Sequence, residues 1–475
     1  MAGFGAYGNV RAEAVPAYLV AQPPMTKKKS EKSAAIVLAA GLGTRMKSDL
    51  PKVMHGLAGR PMIQHLLASL EAAGLERTIV VVSPSADGVA EAVTPHEAVV
   101  QQSQLGTGDA VKAAVPALDG FDGDVLVLFG ADPLIRPETI IRMIERRRAD
   151  DDPAVVVLGF RPDDPAAYGR LVIDTDGRLT AIVEAKDATP EELGIGLCNS
   201  GIMAIDGKRL ANLIGRIGND NAQGEFYLTD IVALAVSDGA VCSFIEGDAE
   251  ELIGIDDRAD LARAEAILQG RLRAEAMANG ATLIDPDSVY LSFDTRLGRD
   301  TVVGPQVLFG PGVRVGCGAQ IKAFSHIEGA EIADGAVIGP FARLRPGTRI
   351  ETGARVGNFV ETKNLTLGEG AKANHLTYLG DSTVGAKTNI GAGTITCNYD
   401  GFNKSRTEIG AGAFIGSNTA LVAPVSIGDG AIVGAGSTIA KDVDVDALAV
   451  TRAPQDQRSG WAAKFRTLAG RKKKG

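Results

Sequence analysis

The sequence predicts an α/β unit, a linking helix and a β-helix built from six-residue repeats. Three observations support this fold class. Short runs rich in Val and Ile alternate with helical patterns over the first half of the chain. An alanine-rich stretch follows, and an apolar residue then recurs every six positions. These patterns are typical of a helix-covered sheet, a single long helix and a repeat protein.

The α/β unit begins with apolar runs that predict buried parallel strands, namely AAIVLAA, RTIVVVS, DVLVLFG and AVVVLGF. Helical patterns lie between them. In MIQHLLASLEAAG, the residues Ile63, Leu66, Leu67 and Leu70 share one helical face. RPETIIRMIERRRADD predicts another helix, with Pro137 in its first turn. The alternation therefore predicts a parallel sheet covered on both faces.

The C-terminal period of six predicts a β-helix. Glycine often follows the apolar residue and permits a corner between short strands. An ordinary β-sandwich with irregular strands would not keep this period. The apolar positions are Leu297, Val303, Phe309, Val315, Ile321 and Ile327, then Ile332, Ile338, Leu344, Ile350 and Val356, then Ile409, Ile415, Leu421, Ile427, Val433 and Ile439.

Five segments follow from these patterns. We expect a disordered extension at 1–32, with Met25 as an alternative start, and an α/β domain at 33–255. A linker helix is expected at 256–280, ending in glycine. The β-helix should occupy 281–452 and a tail 453–475, whose RKKKG end is expected to be solvated.

Composition limits the function classes. The net charge of −9 argues against broad nucleic-acid binding, which needs a basic surface. No apolar run is long enough to span a membrane, and the first 24 residues do not resemble a signal peptide. The four cysteines form neither a CxxC pair nor a metal spacing, and scattered thiols fit a cytoplasmic protein.

A glycine-rich loop, LAAGLGTRMKSDLPK at 38–52, follows the first strand. Its backbone N–H groups can hold phosphate, and Arg45 and Lys52 add positive charge. It is not a dinucleotide fingerprint, because Met46 replaces the third glycine, and it lacks the GK[ST] ending of a P-loop. A tight strand–helix turn with incidental charge is the structural alternative.

LAAGLGTRMKSDLPKVMH resembles the opening of sugar-1-phosphate nucleotidyltransferases. Together with QQSQLGTGDA, YGRLV, IVEAKDAT, CNSGI and NAQGEFYLTDI, it is similar to bacterial bifunctional N-acetylglucosamine-1-phosphate uridyltransferases / glucosamine-1-phosphate acetyltransferases. The motifs GPFARLRPG, VGNFVETK, HLTYLGD and NIGAGTITCNYDG extend this resemblance to roughly residues 34 to 461. It implies a Rossmann-like nucleotidyltransferase domain and a left-handed parallel β-helix.

The resemblance implies two reactions that supply UDP-N-acetylglucosamine for peptidoglycan and lipopolysaccharide. Acetyl-CoA acetylates glucosamine 1-phosphate, and UTP then uridylylates the product with Mg²⁺. Arg45 and Lys52 would neutralise the phosphates as catalytic residues, and Gln101, Gly106 and Thr107 would read uracil. The implied nucleotide- and sugar-binding set is Leu38, Ala39, Ala40, Gly41, Lys52, Gln101, Gly106, Thr107, Gly169, Glu184, Asn199 and Asp256.

Three departures from the family pattern fall in this first domain. The family's G-D-x-P-L reads GADPL here, so Ala131 takes the usual metal position and Asp132 lies one residue later. We expect the loop to adjust and Asp132 to bind Mg²⁺ with Asp256, which replaces the usual asparagine. The alternative is a weakened uridyltransferase. Asp109 stands where histidine is usual, and the sequence assigns it no consequence.

The six-residue rhythm breaks at about 357–379 and again at 396–408. Repeat proteins place insertions in loops, so both breaks predict loops on a binding face. The resemblance implies that His375 is the general base and that such coils pair as homotrimers. Arg345, Lys363, Tyr378 and Asn389 would bind the sugar phosphate. Asn398 would help to orient the sugar, and a backbone N–H near Tyr399 would stabilise the oxyanion. The implied acetyl-CoA set is Ala392, Asn398, Tyr399, Ser417, Ala435 and Arg452.

Other interpretations remain at this point. A lone histidine is more often structural, which is our expectation for His55 and His326, and Asn374 beside the base stands where many relatives have glycine. The β-helix could serve only in assembly, or the first domain could bind nucleotide without uridylyl transfer. A zinc site of the carbonic-anhydrase type needs three histidines, whereas this domain has only His326 and His375.

Overall fold

The computed structural model describes residues 32–41, 43–85, 87–165 and 167–472. The predicted disordered extension at 1–32 therefore lies outside the described residues, apart from Lys32. The last three residues of the RKKKG end also lie outside them.

Among the described residues, eleven strands and eight α-helices form the N-terminal half and the connection to the second half. The strands are β1 Ser33–Leu38, β2 Gly56–Leu57, β3 Arg60–Pro61, β4 Arg77–Val82, β5 Glu97–Val100, β6 Asp124–Phe129, β7 Val155–Phe160, β8 Arg170–Ile173, β9 Leu179–Val183, β10 Cys198–Asp206 and β11 Cys242–Glu246. The helices are α1 Met62–Ala72, α2 Asp87–Ala92, α3 Thr107–Ala114, α4 Pro137–Arg147, α5 Pro190–Leu193, α6 Gly207–Gly215, α7 Asp230–Ser237 and α8 Arg258–Ala278.

The N-terminal sheet has the order β11-β7-β10-β6-β1-β4-β5. Strands β1, β4, β5 and β6 are parallel, but β10 runs antiparallel to both β6 and β7. The prediction of an all-parallel sheet is therefore wrong at β10. The chain returns to β10 after the antiparallel pair β8–β9 rather than through a crossover helix. Periodicity identifies buried strands but does not give their direction.

Two apolar layers cover this sheet. The predicted apolar face of α1 is confirmed, because Ile63, Leu66 and Leu70 are fully buried and Leu67 nearly so. Pro137 occupies the first turn of α4, as predicted. The carboxyl ends of β1, β4 and β6 lie at one edge of the sheet, and this edge carries the glycine-rich loop.

Helix α8 contacts both halves of the chain. Asp257 caps its first turn by accepting hydrogen bonds from the N–H groups of Ala259 and Asp260. Toward the N-terminal half, Arg271 donates to the carbonyl of Leu134 at 2.6 Å. Toward the C-terminal half, the buried Gln269 exchanges two hydrogen bonds with the backbone of Leu291. The helix is therefore held on both sides.

The C-terminal half is a stack of short parallel strands. They are β12 Thr282–Leu283, β13 Arg296–Leu297, β14 Val302–Val303, β15 Leu308–Phe309, β16 Arg314–Val315, β17 Gln320–Ile321, β18 His326–Ile327, β19 Ala330–Ile332, β20 Val337–Ile338, β21 Arg343–Leu344, β22 Thr348–Ile350, β23 Arg355–Asn358, β24 Glu361–Leu367, β25 Lys372–His375, β26 Tyr378–Val384, β27 Asn389–Ile390, β28 Ile395–Cys397, β29 Thr407–Ile409, β30 Phe414–Ile415, β31 Ala420–Val422, β32 Val425–Ile427, β33 Ile432–Val433, β34 Thr438–Ile439 and β35 Leu448–Ala449.

The predicted hexapeptide β-helix is confirmed. Leu297 pairs with Val315, so each coil takes three hexads and contributes one strand to each of three faces. Every predicted apolar position except Leu297 is buried, and these residues form one continuous core. One face runs from β12 through β23, β25 and β27 to β35. The longer strands β24 and β26 turn a corner and connect the other two faces.

The first break in the rhythm is not a loop, so that prediction is wrong. Strands β23 to β26 continue the coil, and Thr362, Ala373 and Leu379 fill its interior with no exposed surface. The hydroxyl of Thr362 pairs with that of Thr348 at 3.0 Å, which satisfies a polar group inside the coil. The second break is a loop as predicted, and it lies between β28 and β29.

The predicted tail contains a helix that the sequence analysis missed, α9 at Trp461–Lys472. The rings of Trp461 and Phe465 stack with centroids 5.2 Å apart, and both are more than half exposed. Across the described part of the chain, no helix is long and apolar enough to cross a membrane.

Candidate active sites

The glycine-rich loop lines a cavity of about 240 Å³ at the carboxyl edge of the N-terminal sheet. The cavity wall includes all four predicted loop residues and the three predicted base-reading residues, namely Leu38, Ala39, Ala40, Gly41, Gln101, Gly106 and Thr107. The amide of Ala39 donates to Val81 on β4, which holds the loop against the sheet. Gln104, which the sequence analysis did not select, donates from Nε2 to the carbonyl of Ala40 at 2.8 Å.

Two cations meet one carboxylate at the rim of this cavity. Arg45 Nη2 lies 2.8 Å from Asp256 Oδ2, and Lys52 Nζ lies 3.0 Å from Asp256 Oδ1. Gly43 makes this approach possible. Its φ of +60° favours glycine, and a Cβ there would lie 2.6 Å from the Cβ of Lys52. The loop thus places both predicted phosphate-binding residues at one point.

Asp132 lies in the same neighbourhood despite its shifted position in the sequence. Its amide closes a turn onto Phe129 at the end of β6, and its side chain is 6% exposed. Burial raises the pKa of Asp132 to about 7, with Lys52 opposing the rise and Asp256 adding to it. Ala131 instead lines the cavity beside the glycine-rich loop.

Next to this cavity lies a cleft of about 1080 Å³, which Arg45 and the predicted sugar-binding residues Glu184 and Asp256 help to line. The amide of Asn199 donates to the carbonyl of Gly169 at 2.8 Å. A Cβ on Gly169 would lie 3.4 Å from Glu184 Oε2, so all three predicted sugar residues are neighbours. Burial raises the pKa of Glu184, although a hydrogen bond from Thr229 opposes this rise.

In the β-helix, His375 is the last residue of β25, next to a corner of the coil, and is exposed. Its Nδ1 lies 2.9 Å from Oδ1 of Asn358, the paired residue on β23. Because an amide oxygen only accepts hydrogen bonds, Nδ1–H is the donor, and in the neutral imidazole Nε2 then carries the free lone pair. Asn358 lies within the motif VGNFVETK, but the sequence analysis assigned no role to it.

The predicted acetyl-CoA residues continue the same corner. Ala373, Ile390, Ile415 and Val433 occupy equivalent positions in successive coils. The residues two positions after them therefore form one column, namely His375, Ala392, Ser417 and Ala435. Arg452 donates from Nη1 to the carbonyl of Ala435. Asn389 lies beside this column on β27.

A second cluster lies at the next corner. Lys363 Nζ is 3.9 Å from Asp381 Oδ2, and Asn364 and Asn398 both donate to Asp381. Burial opposes ionisation of Asp381, but these hydrogen bonds hold its pKa below the ordinary value. A neighbouring lysine, Lys404 from the loop, lowers the pKa of Lys363. Asp381 belongs to the HLTYLGD motif, yet the sequence analysis did not select it.

Arg345 and Tyr378 belong to this second cluster. The backbone of Arg345 pairs with Thr362 next to Lys363, and its guanidinium donates to Glu361 at 3.0 Å. The Tyr378 hydroxyl lies over Gly380, which pairs with Lys363. Gly380 is five residues after His375 and lies on β26, beyond the corner at Leu376, so the two clusters are separated by a turn of the coil.

The remaining predicted residues have less specific surroundings. Tyr399 is 59% exposed in the loop. His55 is buried against Arg258, and burial, followed by that positive charge, lowers the pKa of His55. His326 is exposed on the regular strand β18. Among the described residues, no three His, Cys, Asp or Glu side chains form a group that could hold a metal ion. Nothing in the structure explains Asn374.

Comparison with known proteins agrees with this division into two sites. The MobA-like NTP transferase domain family matches residues 35–188, and the bacterial transferase hexapeptide family (six repeats) matches residues 406–441. The chain is thus a bifunctional transferase, in which a nucleotidyltransferase unit precedes a hexapeptide-repeat transferase unit.

Full-length relatives give the particular family. The chain is 63% identical to the Bifunctional protein GlmU of Rhodospirillum rubrum, over 92% of this chain and 97% of the relative. It is 59% identical to that of Paramagnetospirillum magneticum, over 94% and 99%. It is 52% identical to that of Gluconacetobacter diazotrophicus, over 97% and 98%. The chain belongs to the GlmU family of bifunctional enzymes, which confirms the resemblance inferred from its motifs.

Proposed function

We propose that the β-helix transfers acetyl from acetyl-CoA to glucosamine 1-phosphate, and that the N-terminal domain transfers uridylyl from UTP to the N-acetylated product. The observation that carries the second assignment is the meeting of Arg45 and Lys52 at Asp256, on the rim of the nucleotide cavity. The domain ranges 33–255, 256–280 and 281–452 remain our proposal. Four free cysteines among the described residues favour a cytoplasmic enzyme.

In uridylyl transfer, a phosphate oxygen of the sugar attacks the α-phosphorus and pyrophosphate leaves. No covalent enzyme intermediate is required, so the protein contributes positioning and charge neutralisation. Leu38 to Gly41 would hold the nucleotide, and Gly169, Glu184 and Asn199 would hold the sugar. Arg45 and Lys52 must leave Asp256 to contact phosphate. The loop that holds them is already aimed at the cavity.

Asp132 and Asp256 would hold Mg²⁺. Burial raises the pKa of Asp132 although Lys52 and a hydrogen bond to the backbone of Phe129 oppose the rise, and a bound cation would lower this pKa. Carboxylate oxygens are the ligands that Mg²⁺ prefers, with water and substrate phosphates completing its shell. When bound, the metal neutralises charge on the transferred phosphate. Loss of Mg²⁺-dependent UTP turnover in Asp132→Ala is the expected result, and an unchanged rate refutes the assignment.

In acetyl transfer, His375 Nε2 accepts a proton from the amine as its nitrogen attacks the thioester carbon. The C–S bond then breaks and the thiolate of coenzyme A leaves. Asn358 holds the ring with Nε2 free, so the base is oriented before substrate binds. Ala392, Ser417 and Ala435 offer small side chains for the pantetheine arm along the same column. A backbone N–H near Tyr399 would stabilise the oxyanion, and Asn398 and Arg452 complete the acetyl-CoA set.

The sugar phosphate would bind Arg345 and Lys363, with Tyr378, Asn389 and Asn398 orienting the ring. In one chain these residues divide between two corners of the coil. A homotrimer would join the His375 corner of one subunit to the Lys363 corner of the next. This assembly is part of the proposal, and the separation of the two clusters is one observation in its favour.

An exposed apolar column supports the same assembly. Phe324, Phe341, Phe359 and Leu376 occupy one corner in four successive coils, and each is at least 45% exposed. The phenylalanine rings stack, with centroids 4.8 and 5.3 Å apart. All four have positive φ, which is strained for such side chains. Large apolar groups kept at a strained, exposed corner beside His375 fit contact with other copies of this chain.

Mass measurement by light scattering tests the trimer with Phe341→Ser and Phe341→Leu. We expect Phe341→Ser to weaken assembly and lose thiol release, whereas Phe341→Leu keeps both. A monomeric wild-type enzyme with full acetyltransferase activity would contradict the assembly.

A further inference from the structure

The amide of Gln101 is fixed in one orientation by two acceptors. Gln101 follows β5, is 4% exposed and lines the nucleotide cavity. Its Nε2 lies 2.7 Å from Asp109 Oδ2 and 3.3 Å from the carbonyl oxygen of Gly106. A carboxylate and a carbonyl can only accept hydrogen bonds, so both must face the amide nitrogen. The two N–H groups of Gln101 are therefore committed to the protein.

The other end of this amide is available to a ligand. In the part of the chain that the structure describes, no donor contacts Gln101 Oε1. Protein atoms also do not cover this oxygen completely. The N–H groups of Gly106 and Thr107, at the start of α3, have no acceptor among the described residues either. The cavity thus offers one side-chain acceptor beside backbone donors.

We propose that Asp109 is a positioning residue that makes this pocket select uracil over cytosine, a proposal that rests on the function proposed above. Uracil presents an N3–H donor between two carbonyl acceptors, which matches Gln101 Oε1 and the backbone donors. Cytosine presents an acceptor at N3 and an amino donor at C4. Its N3 would therefore face the acceptor Gln101 Oε1, and its amino group would face a backbone N–H donor. Rotating the Gln101 amide by half a turn would relieve part of that mismatch, and Asp109 prevents the rotation.

Holding the Gln101 amide in this orientation requires a residue at position 109 that accepts a hydrogen bond and cannot donate one. An asparagine or a neutral histidine at position 109 could donate a hydrogen bond to Gln101, whereas a carboxylate can only accept one. Asp109 lies in the first turn of α3, where negative charge is also favourable. Among the side chains that the structure describes, only Gln101 forms a hydrogen bond with Asp109.

The first test is Asp109→Asn in the full chain, measuring kcat/KM for UTP and for CTP. Asparagine has the same shape but can donate to Gln101 Oε1, so the glutamine amide can rotate. We expect the UTP-to-CTP ratio to fall by roughly tenfold or more, as expected for one misdirected hydrogen bond. An unchanged ratio overturns the proposal, as does an equal fall for both nucleotides, because a merely structural role would give that result. Thiol release by the same preparation reports that the chain is folded.

The second test reverses the polarity of the pair. Gln101→Glu alone puts two carboxylates in contact and should abolish UTP turnover. Adding Asp109→Asn lets the asparagine donate to the new glutamate, which again presents an oxygen to the base. We expect the double variant to recover part of the UTP turnover and selectivity relative to the single variant, because the Gly106 carbonyl still opposes the new carboxylate. Failure to recover overturns the proposal.

The two proposals fail in different ways. A wild-type chain that makes no sugar nucleotide from UTP overturns the proposed function. A wild-type chain that is active and selective, combined with an equally selective Asp109→Asn variant, overturns only the role of Asp109.

Discussion

Replacing Asn358 with alanine should slow acetyl transfer without removing the base. The Asn358 amide accepts a 2.9 Å hydrogen bond from His375 Nδ1 and is the contact that selects the ring tautomer. A hydrogen bond between neutral groups contributes about 1 to 1.5 kcal/mol, which corresponds to about fivefold to tenfold in rate. We therefore expect kcat for thiol release from acetyl-CoA to fall by that factor, while KM for acetyl-CoA changes little.

A pH profile separates orientation from a general loss of structure. Asn358→Asp keeps the acceptor but adds a negative charge beside the ring, which favours the imidazolium form over the neutral base. The acid limb of the kcat/KM profile should then move to higher pH in Asn358→Asp and stay in place in Asn358→Ala. Uridylyl transfer by the same preparations serves as the internal control. An Asn358→Ala enzyme with the wild-type rate and profile would refute the reasoning.

Two further predictions concern the N-terminal domain. Gly43→Ala should lower uridylyl transfer by roughly tenfold or more, because the new Cβ displaces Lys52, whereas Gly56→Ala, which meets nothing within 4 Å, should be neutral. Asp132 has a folded-state pKa raised to about 7, so the folded chain holds this proton more tightly than the unfolded chain. Without metal, stability relative to Asp132→Asn should decline as pH rises from the unfolded pKa of about 4 to the folded pKa of about 7, by up to about 4 kcal/mol over the whole interval, and stay level above it. Thermal unfolding of both proteins in chelator from about pH 5 to about pH 8 measures this difference, and parallel curves would contradict it.

Much of the fold could be predicted because both halves repeat a simple period. The six-residue rhythm identified the β-helix and nearly all of its interior positions. The rhythm failed at Thr362 and Ala373, where small or hydrogen-bonded side chains fill an interior place that the apolar rule did not recognise. The direction of β10 was also predicted wrongly. A run of apolar residues indicates that both faces of a strand are buried, but it does not indicate whether the strand runs parallel or antiparallel to its neighbours.

The candidate sites were predicted mainly from motifs, and the gaps reflect what motifs omit. The motif GADPL left open whether Asp132 could lie near Asp256. The position of Asp132 depends on a turn in which its own amide donates a hydrogen bond to the carbonyl of Phe129. Asn358 and Asp381 lay inside quoted motifs, but only the register of neighbouring coils shows that they contact His375 and Lys363. Asp109 looked like an unexplained departure until its hydrogen bond to Gln101 was visible.

The most direct test of two independent sites in one chain uses Lys52→Ala and His375→Ala, each assayed for both reactions. We expect Lys52→Ala to lose uridylyl transfer by about a hundredfold or more while thiol release from acetyl-CoA is unchanged. His375→Ala should show the opposite pattern, with thiol release reduced by about a hundredfold or more and uridylyl transfer unchanged. Full thiol release in His375→Ala, or full uridylyl transfer in Lys52→Ala, would contradict the account.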